Sequence, residues 1–164
     1  MSWFKKSPDM PPELASLASN NGRVLSWAAH SGGYIAVTSN VLVSIDSHST
    51  TITPWSESLQ ARWEPPQLVI VFQGPEDLTA ESRAWILNED SQLPRAVRDR
   101  VTAAVVVDRV FELPNAGRVR FVARKDEKHA YWSVIADDQV ASQSDVGQEE
   151  ITKALVELRS AFGI

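Results

Sequence analysis

The segment LQARWEPPQLVIVF, residues 59–72, decides the fold class. Leu59, Ala61 and Trp63 alternate with Gln60, Arg62 and Glu64; Pro65 and Pro66 stop the run, and Leu68 to Phe72 returns as a second apolar stretch. A period of two places successive side chains on opposite faces of an extended chain, so two such runs around a turn predict an antiparallel hairpin.

Working upstream, Arg23 to Ala29, Tyr34 to Thr38, Val41 to Ile45 and Thr50 to Trp55 are short β-rich runs. Ser31-Gly32-Gly33, Ser39-Asn40 and Ser47-His48-Ser49 separate them. Connections this short cannot carry the crossovers that parallel strands need, so an antiparallel meander is expected. In front of it, residues 9–22 predict a short helix, with Asp9 as cap, Pro11 and Pro12 in the first turn, Leu14 and Leu17 on one face, and Asn20-Asn21-Gly22 as the stop.

Working downstream, Ala84 to Leu87 predicts a seventh strand. A helix follows near Pro94, with Leu93, Val97 and Val101 on one face and Arg95 able to pair with Asp99. From about Ala104 to Leu113 the β-branched run Val105-Val106-Val107 favours strand over continued helix. Arg118 to Lys125 and Lys128 to Ala136 then predict a hairpin around Asp126-Glu127. That loop would set Phe121 opposite Trp132, Val119 opposite Val134 and Ala123 opposite Ala130 on a core face. The other face would carry Arg118, Arg120, Val122 and Arg124 opposite Ile135, Ser133, Tyr131 and His129. A last helix opens at Asp145 with Gln148 at a capping-box spacing, and Ile151, Leu155, Leu158 and Phe162 form its apolar stripe. Pro75 to Glu81 and Asp137 to Ser144 are the loosest stretches.

The chain has 164 residues and no cysteine, which excludes a disulfide framework, a thiolate nucleophile and zinc sites that use Cys. Sixteen Lys and Arg against 21 Asp and Glu give a net charge of -5, so the molecule as a whole is not drawn to nucleic acid or anionic lipid. No transmembrane run and no signal-peptide h-region are legible, and a cytoplasmic location is the expectation. Of the six tryptophans, Trp27, Trp63, Trp85 and Trp132 fall on strands and suit a core, whereas Trp55 lies in a polar turn. The N-terminal Trp3-Phe4-Lys5-Lys6 reads as a frayed end rather than a membrane anchor.

Six or seven short strands followed by one helix, with GRVLSWA at 22–28, YIAVTSNVLVSI at 34–45 and ITPWSESLQARWE at 52–64, resemble the bacterial pleckstrin-homology (PH)-like barrels. The whole chain resembles a family of uncharacterised actinobacterial proteins that carry this barrel and a β-rich C-terminal extension. The resemblance implies an α+β, mostly antiparallel fold in three parts. Residues 1–21 form an N-terminal segment with a short helix, 22–103 a PH-like β-barrel closed by a helix, and 104–164 a βββα extension packed on the barrel. Phosphoinositide-binding members carry Lys and Arg around the first strand-to-strand loop. Here that loop is Ala28 to Gly33 with only Arg23 nearby, so headgroup binding is not expected.

Chemistry-bearing residues point mostly to structure. His30, His48 and His129 have no ligand-like spacing, so neither a metal site nor a cofactor is expected. Asp46-Ser47-His48 suits a turn rather than part of a triad, and the Asp137-Asp138 and Glu149-Glu150 pairs sit where a strand ends and a helix begins. The most specific feature is the face of Arg118, Arg120, Arg124, His129 and Tyr131, which could hold an anionic or single-stranded ligand if open. Otherwise it would lie under the last helix, paired with Glu149, Glu150 and Glu157.

The leading functional expectation is a non-catalytic binding or scaffolding protein that recognises a protein or peptide at a barrel edge or in the groove beside its helix. An anionic-ligand or nucleic-acid binder acting through the arginine face is the alternative. An enzyme of unknown class ranks last, because no constellation fills the geometric roles catalysis needs.

Overall fold

The computed structural model describes residues 9–74, 80–128 and 130–164. Their architecture is α+β, with three antiparallel sheets. The first sheet is a meander of β1 (Val24–His30), β2 (Gly33–Thr38), β3 (Val41–Asp46) and β4 (Thr50–Pro54), ordered as in sequence. Its tight turns follow from local chemistry. Asp46 Oδ1 accepts from the His48 and Ser49 amides at 2.8 and 2.7 Å, an Asx turn. At the β1–β2 turn, a Cβ on Gly33 would stand 1.9 Å from the Ile45 carbonyl oxygen, so only glycine fits.

Both faces of this sheet are covered. α1 (Pro12–Ser19) lays Leu14 and Ala18 against Ala36, Val41 and Val43. The helix is shorter than the sequence suggests, because Pro11 rather than Asp9 occupies the cap and Asn20 ends it. On the opposite face, Ile35, Val37 and Leu42 meet the second sheet.

The second sheet orders β5 (Ser58–Glu64), β6 (Gln67–Phe72) and β7 (Glu81–Ile86). The expected hairpin is there, with Trp63 opposite Leu68 and Ala61 opposite Ile70. α2 (Leu93–Ala104) inserts Leu93, Val97 and Val101 between the two sheets, against Leu68, Ile70, Phe72, Trp85 and Leu87. Among the described residues no strand ladder joins the first sheet to the second, so the two pack face to face without closing by hydrogen bonds.

Trp55 departs from the sequence expectation. It opens a single 3-10 turn, Trp55–Glu57, that the strand pattern does not reveal, and it is buried. Its indole N–H donates to the Thr38 carbonyl at 2.9 Å, which satisfies the polar atom that burial would otherwise strand. On α2, Arg95 and Asp99 make no ion pair.

The third sheet comprises β8 (Val105–Leu113), β9 (Gly117–Lys125) and β10 (Ala130–Ala136), with β9 central. α2 passes into β8 directly, since Val105 is both the helix C-cap and the first strand residue. The hairpin register differs by two residues from the one the Asp126-Glu127 turn suggests. Phe121 faces Val134, Ala123 faces Trp132, Val119 faces Ala136, and Arg124 faces Tyr131. The ladder ends at the Lys125–Ala130 pair, so the connection is four residues long. An even shift keeps every side chain on its expected face.

The core face of this sheet sets Val119 and Phe121 under Ile151 and Leu158 of α4 (Asp145–Phe162), with Leu155 partly buried beside them. Phe162 is 43% exposed and instead stacks under the Arg109 guanidinium, 5.4 Å from its ring centroid. The cap of α4 is Ser144, whose Oγ accepts from the Gly147 amide at 3.0 Å. Before it, part of the stretch expected to be loose forms α3 (Gln139–Gln143), capped by Asp138, which accepts from the Ala141 amide at 2.9 Å.

Candidate functional site

The residues expected to form one basic face are placed in very different surroundings. Arg118 and Arg120 are exposed, and each has an acidic partner: Arg118 Nε lies 3.8 Å from Asp137, and Arg120 makes a bidentate pair with Asp108 at 2.6 and 2.8 Å. The Arg120 guanidinium holds the Asp108 carboxyl below its usual range. Arg124, in contrast, is fully buried. It donates to the Gln73 carbonyl at 3.1 Å and to Ser133 Oγ, and burial lowers its pKa to about 10, with Glu57 and Tyr131 opposing that shift. Burial also raises the pKa of the half-buried Tyr131 hydroxyl, with the charges of Asp126 and Glu57 adding to the effect. His129 lies outside the described residues.

The last helix does not cover this face. α4 packs on the Phe121 side, and Glu149, Glu150 and Glu157 pair with none of the three arginines. Glu150 has another task. Desolvation pushes its carboxyl up, but the Asn115 amide and side chain and the Ala116 amide outweigh that, so its pKa falls below the ordinary value. It thereby holds the β8–β9 turn to α4.

What buries Arg124 is the 3-10 turn at Trp55–Glu57, which packs against β9 and β10. The arginine face is therefore split. One end is a polar junction between the second and third sheets, and the other is an exposed surface of compensated charge.

A groove of about 380 Å³ lies between the β5–β6 hairpin and α2. Ala61, Trp63, Leu68 and Pro94 supply its apolar surface, and Arg95 and Arg98 stand on its helix side. Trp63 is half-buried and packs on the core, so one part of its ring is anchored while the rest is offered to the groove. Arg95 and Arg98, three residues apart and exposed, share one face of α2, and neither makes an ion pair or hydrogen bond among the described residues. Among the described residues β5 pairs only with β6. The sequence singles out Arg95 only as a partner for Asp99 and does not single out Arg98, because the value of both depends on Trp63, a neighbour some thirty residues away.

Other clusters stay structural. Gly32 N–H donates to His30 Nδ1 at 3.0 Å, and His48 is exposed in the Asx turn. The carboxyl of Asp46 is held below its usual range first by the His48 amide and then by that of Ser49. Among the described residues no group of three His, Asp or Glu side chains could hold a metal ion, and no helix is long and apolar enough to cross a membrane. No protein-family model, no curated protein and no solved structure matches the chain.

Proposed function

We propose that this chain is a non-catalytic binding module of PH-like architecture that recognises an extended, acidic segment of a partner protein in the groove between β5 and α2. The observation that carries this reading is the pairing of an anchored aromatic, Trp63, with two exposed arginines that have no acidic partner among the described residues. In a chain of net charge -5, unpaired cations beside an aromatic groove select an acidic ligand locally where the whole molecule would repel one. As an edge strand of its sheet, β5 can add a strand through backbone hydrogen bonds, with alternate side chains dropping toward Trp63 and Ala61. An anionic ligand on the Arg118, Arg120 and Arg124 face draws less support, since Asp137 and Asp108 already compensate two of those charges and the third is buried.

Screening an array of Asp- and Glu-rich peptides with interspersed apolar residues tests the reading. Wild-type protein should capture a subset, and Arg95→Glu/Arg98→Glu should abolish capture while leaving the unfolding midpoint in place, because both side chains are exposed. Equal capture by the charge-reversed variant would overturn the assignment.

A further inference from the structure

A second concavity, away from the β5–α2 groove, lies where the first sheet meets the C-terminal hairpin. It measures about 680 Å³, within the range of sites that enclose small organic ligands. Its walls come from the β2–β3 turn (Ser39, Asn40), the stretch Pro54–Trp55, the last turn of α2 and the β9–β10 connection. Those segments belong to both halves of the chain.

Three cations line this cleft: Arg100 from α2, and Lys125 and Lys128 from the hairpin connection. None of their side chains makes an ion pair or hydrogen bond among the described residues, and Arg100 Nε is buried without an acceptor. A buried donor with no partner in the protein is an uncommon and unfavourable arrangement. Of the two carboxylates on the same connection, Asp126 is committed. Its Oδ2 accepts from Ser56 Oγ at 2.5 Å and its Oδ1 from the Lys128 amide at 2.8 Å. Asp126 keeps its negative charge in these bonds to neutral donors, so with Glu127 it offsets two of the three positive charges and the lining retains a net positive charge. The remaining wall combines amide side chains of Asn20, Asn21 and Asn40 with the apolar surface of Val41, Pro54 and Ala103.

We infer that this cleft binds a small organic phosphate, with Arg100, Lys125 and Lys128 around the phosphoryl group and the asparagine and apolar walls around the carbon body. A dianion suits several cations lining one cleft better than a single carboxylate does, and the guanidinium fork matches phosphate oxygens. The volume far exceeds that of a bare phosphate, which is why a carbon body belongs in the ligand. Because the walls come from both halves of the chain, occupancy would also tie the C-terminal extension to the first sheet.

Titration followed by amide NMR tests this, with AMP and ribose 5-phosphate as probes, inorganic phosphate as the bare anion, and adenosine and ribose as neutral controls. The expected result is saturable shifts at Asn40, Arg100 to Ala104 and Lys125 to Lys128 with at least one of the two organic phosphates. The neutral compounds should give none, and inorganic phosphate should bind at least about tenfold more weakly. Lys125→Gln/Lys128→Gln should weaken binding by about tenfold or more. Both lysines are exposed, so this variant stays folded even if Arg100→Gln does not. Absence of saturable shifts with both organic phosphates would overturn the inference, as would unchanged affinity in the double variant or equal binding of adenosine.

Discussion

Ser56 Oγ donates to Asp126 Oδ2 at 2.5 Å, joining the 3-10 turn before β5 to the turn after β9 across 70 positions of sequence. Around it, Arg124 reaches from β9 to the Gln73 carbonyl and to Ser133 Oγ. The two halves of the chain therefore meet through polar groups rather than through one continuous apolar core, in keeping with the separate core clusters on either side.

Arg124→Ala should consequently be strongly destabilising. Removing a fully buried guanidinium takes away the donor to the Gln73 carbonyl and to Ser133 Oγ and opens a void, an effect on the order of 3 to 5 kcal/mol. Urea unfolding followed by fluorescence measures it. A loss near that of an ordinary surface substitution would mean the junction contributes little to folding.

Asp108 and Arg120 give the opposite expectation. Their bidentate geometry is good, but both side chains are more than a third exposed, so the pair should contribute about 1 kcal/mol at most. The pKa of Asp108 is lower in the folded chain than in the unfolded one. Its contribution is therefore complete above the ordinary carboxylate pKa of about 4 and is lost as pH falls through the folded value. The stability difference between wild type and Asp108→Asn should shrink in acid and reach its plateau by about pH 5. A difference that stays constant down to about pH 2 would assign the effect to packing.

Gly33 and Gly147 are positions where a methyl group has nowhere to go. A Cβ would stand 1.9 Å from the Ile45 carbonyl oxygen in the first case and 2.1 Å from the Ala141 carbonyl oxygen in the second. Neither obstacle is a flexible side chain, so backbone must move. Gly33→Ala should destabilise by at least about 2 kcal/mol by parting β2 from β3. Gly147→Ala should do so by separating α4 from the α3 corner, despite alanine's better helix propensity. Thermal unfolding of both variants checks this, and a rise in Tm for Gly147→Ala would refute the close approach.

How much of this was legible in the sequence depended on the range of the interaction. The strands of the first two sheets, α2 and the core face of β9 follow from local period and turn chemistry, as Trp63 opposite Leu68 illustrates. Trp55 looked awkward because its partner is the Thr38 carbonyl, 17 residues away, and no local pattern announces that bond. Arg124 has the same period as Arg118 and Arg120, yet it alone is buried, because the Trp55–Glu57 turn packs over that end of the face. Period fixes which side of a sheet a residue takes, and only tertiary packing fixes what lies on that side. α3 escaped notice for a different reason: five residues are too few to establish a helical period.

The hairpin register offers the sharpest test, because the two-residue difference between turn-based expectation and structure preserves every face and so escapes any burial measurement. Arg120 faces Ile135 in the structure, whereas a two-residue loop would set it opposite Ser133. Both Arg120 and Ile135 are exposed, and the chain has no native cysteine, so a disulfide between introduced residues reports the register without competition. Directly opposed residues have Cα atoms about 4.5 to 5.5 Å apart, within disulfide reach, whereas a partner two positions along is about 7 Å or more away. Arg120→Cys/Ile135→Cys should therefore cross-link readily under mild oxidation, and Arg120→Cys/Ser133→Cys should not. The reverse outcome would restore the short loop, move Phe121 from Val134 to Trp132 and lift Asp126 away from Ser56, undoing the polar junction together with the lysine wall of the cleft.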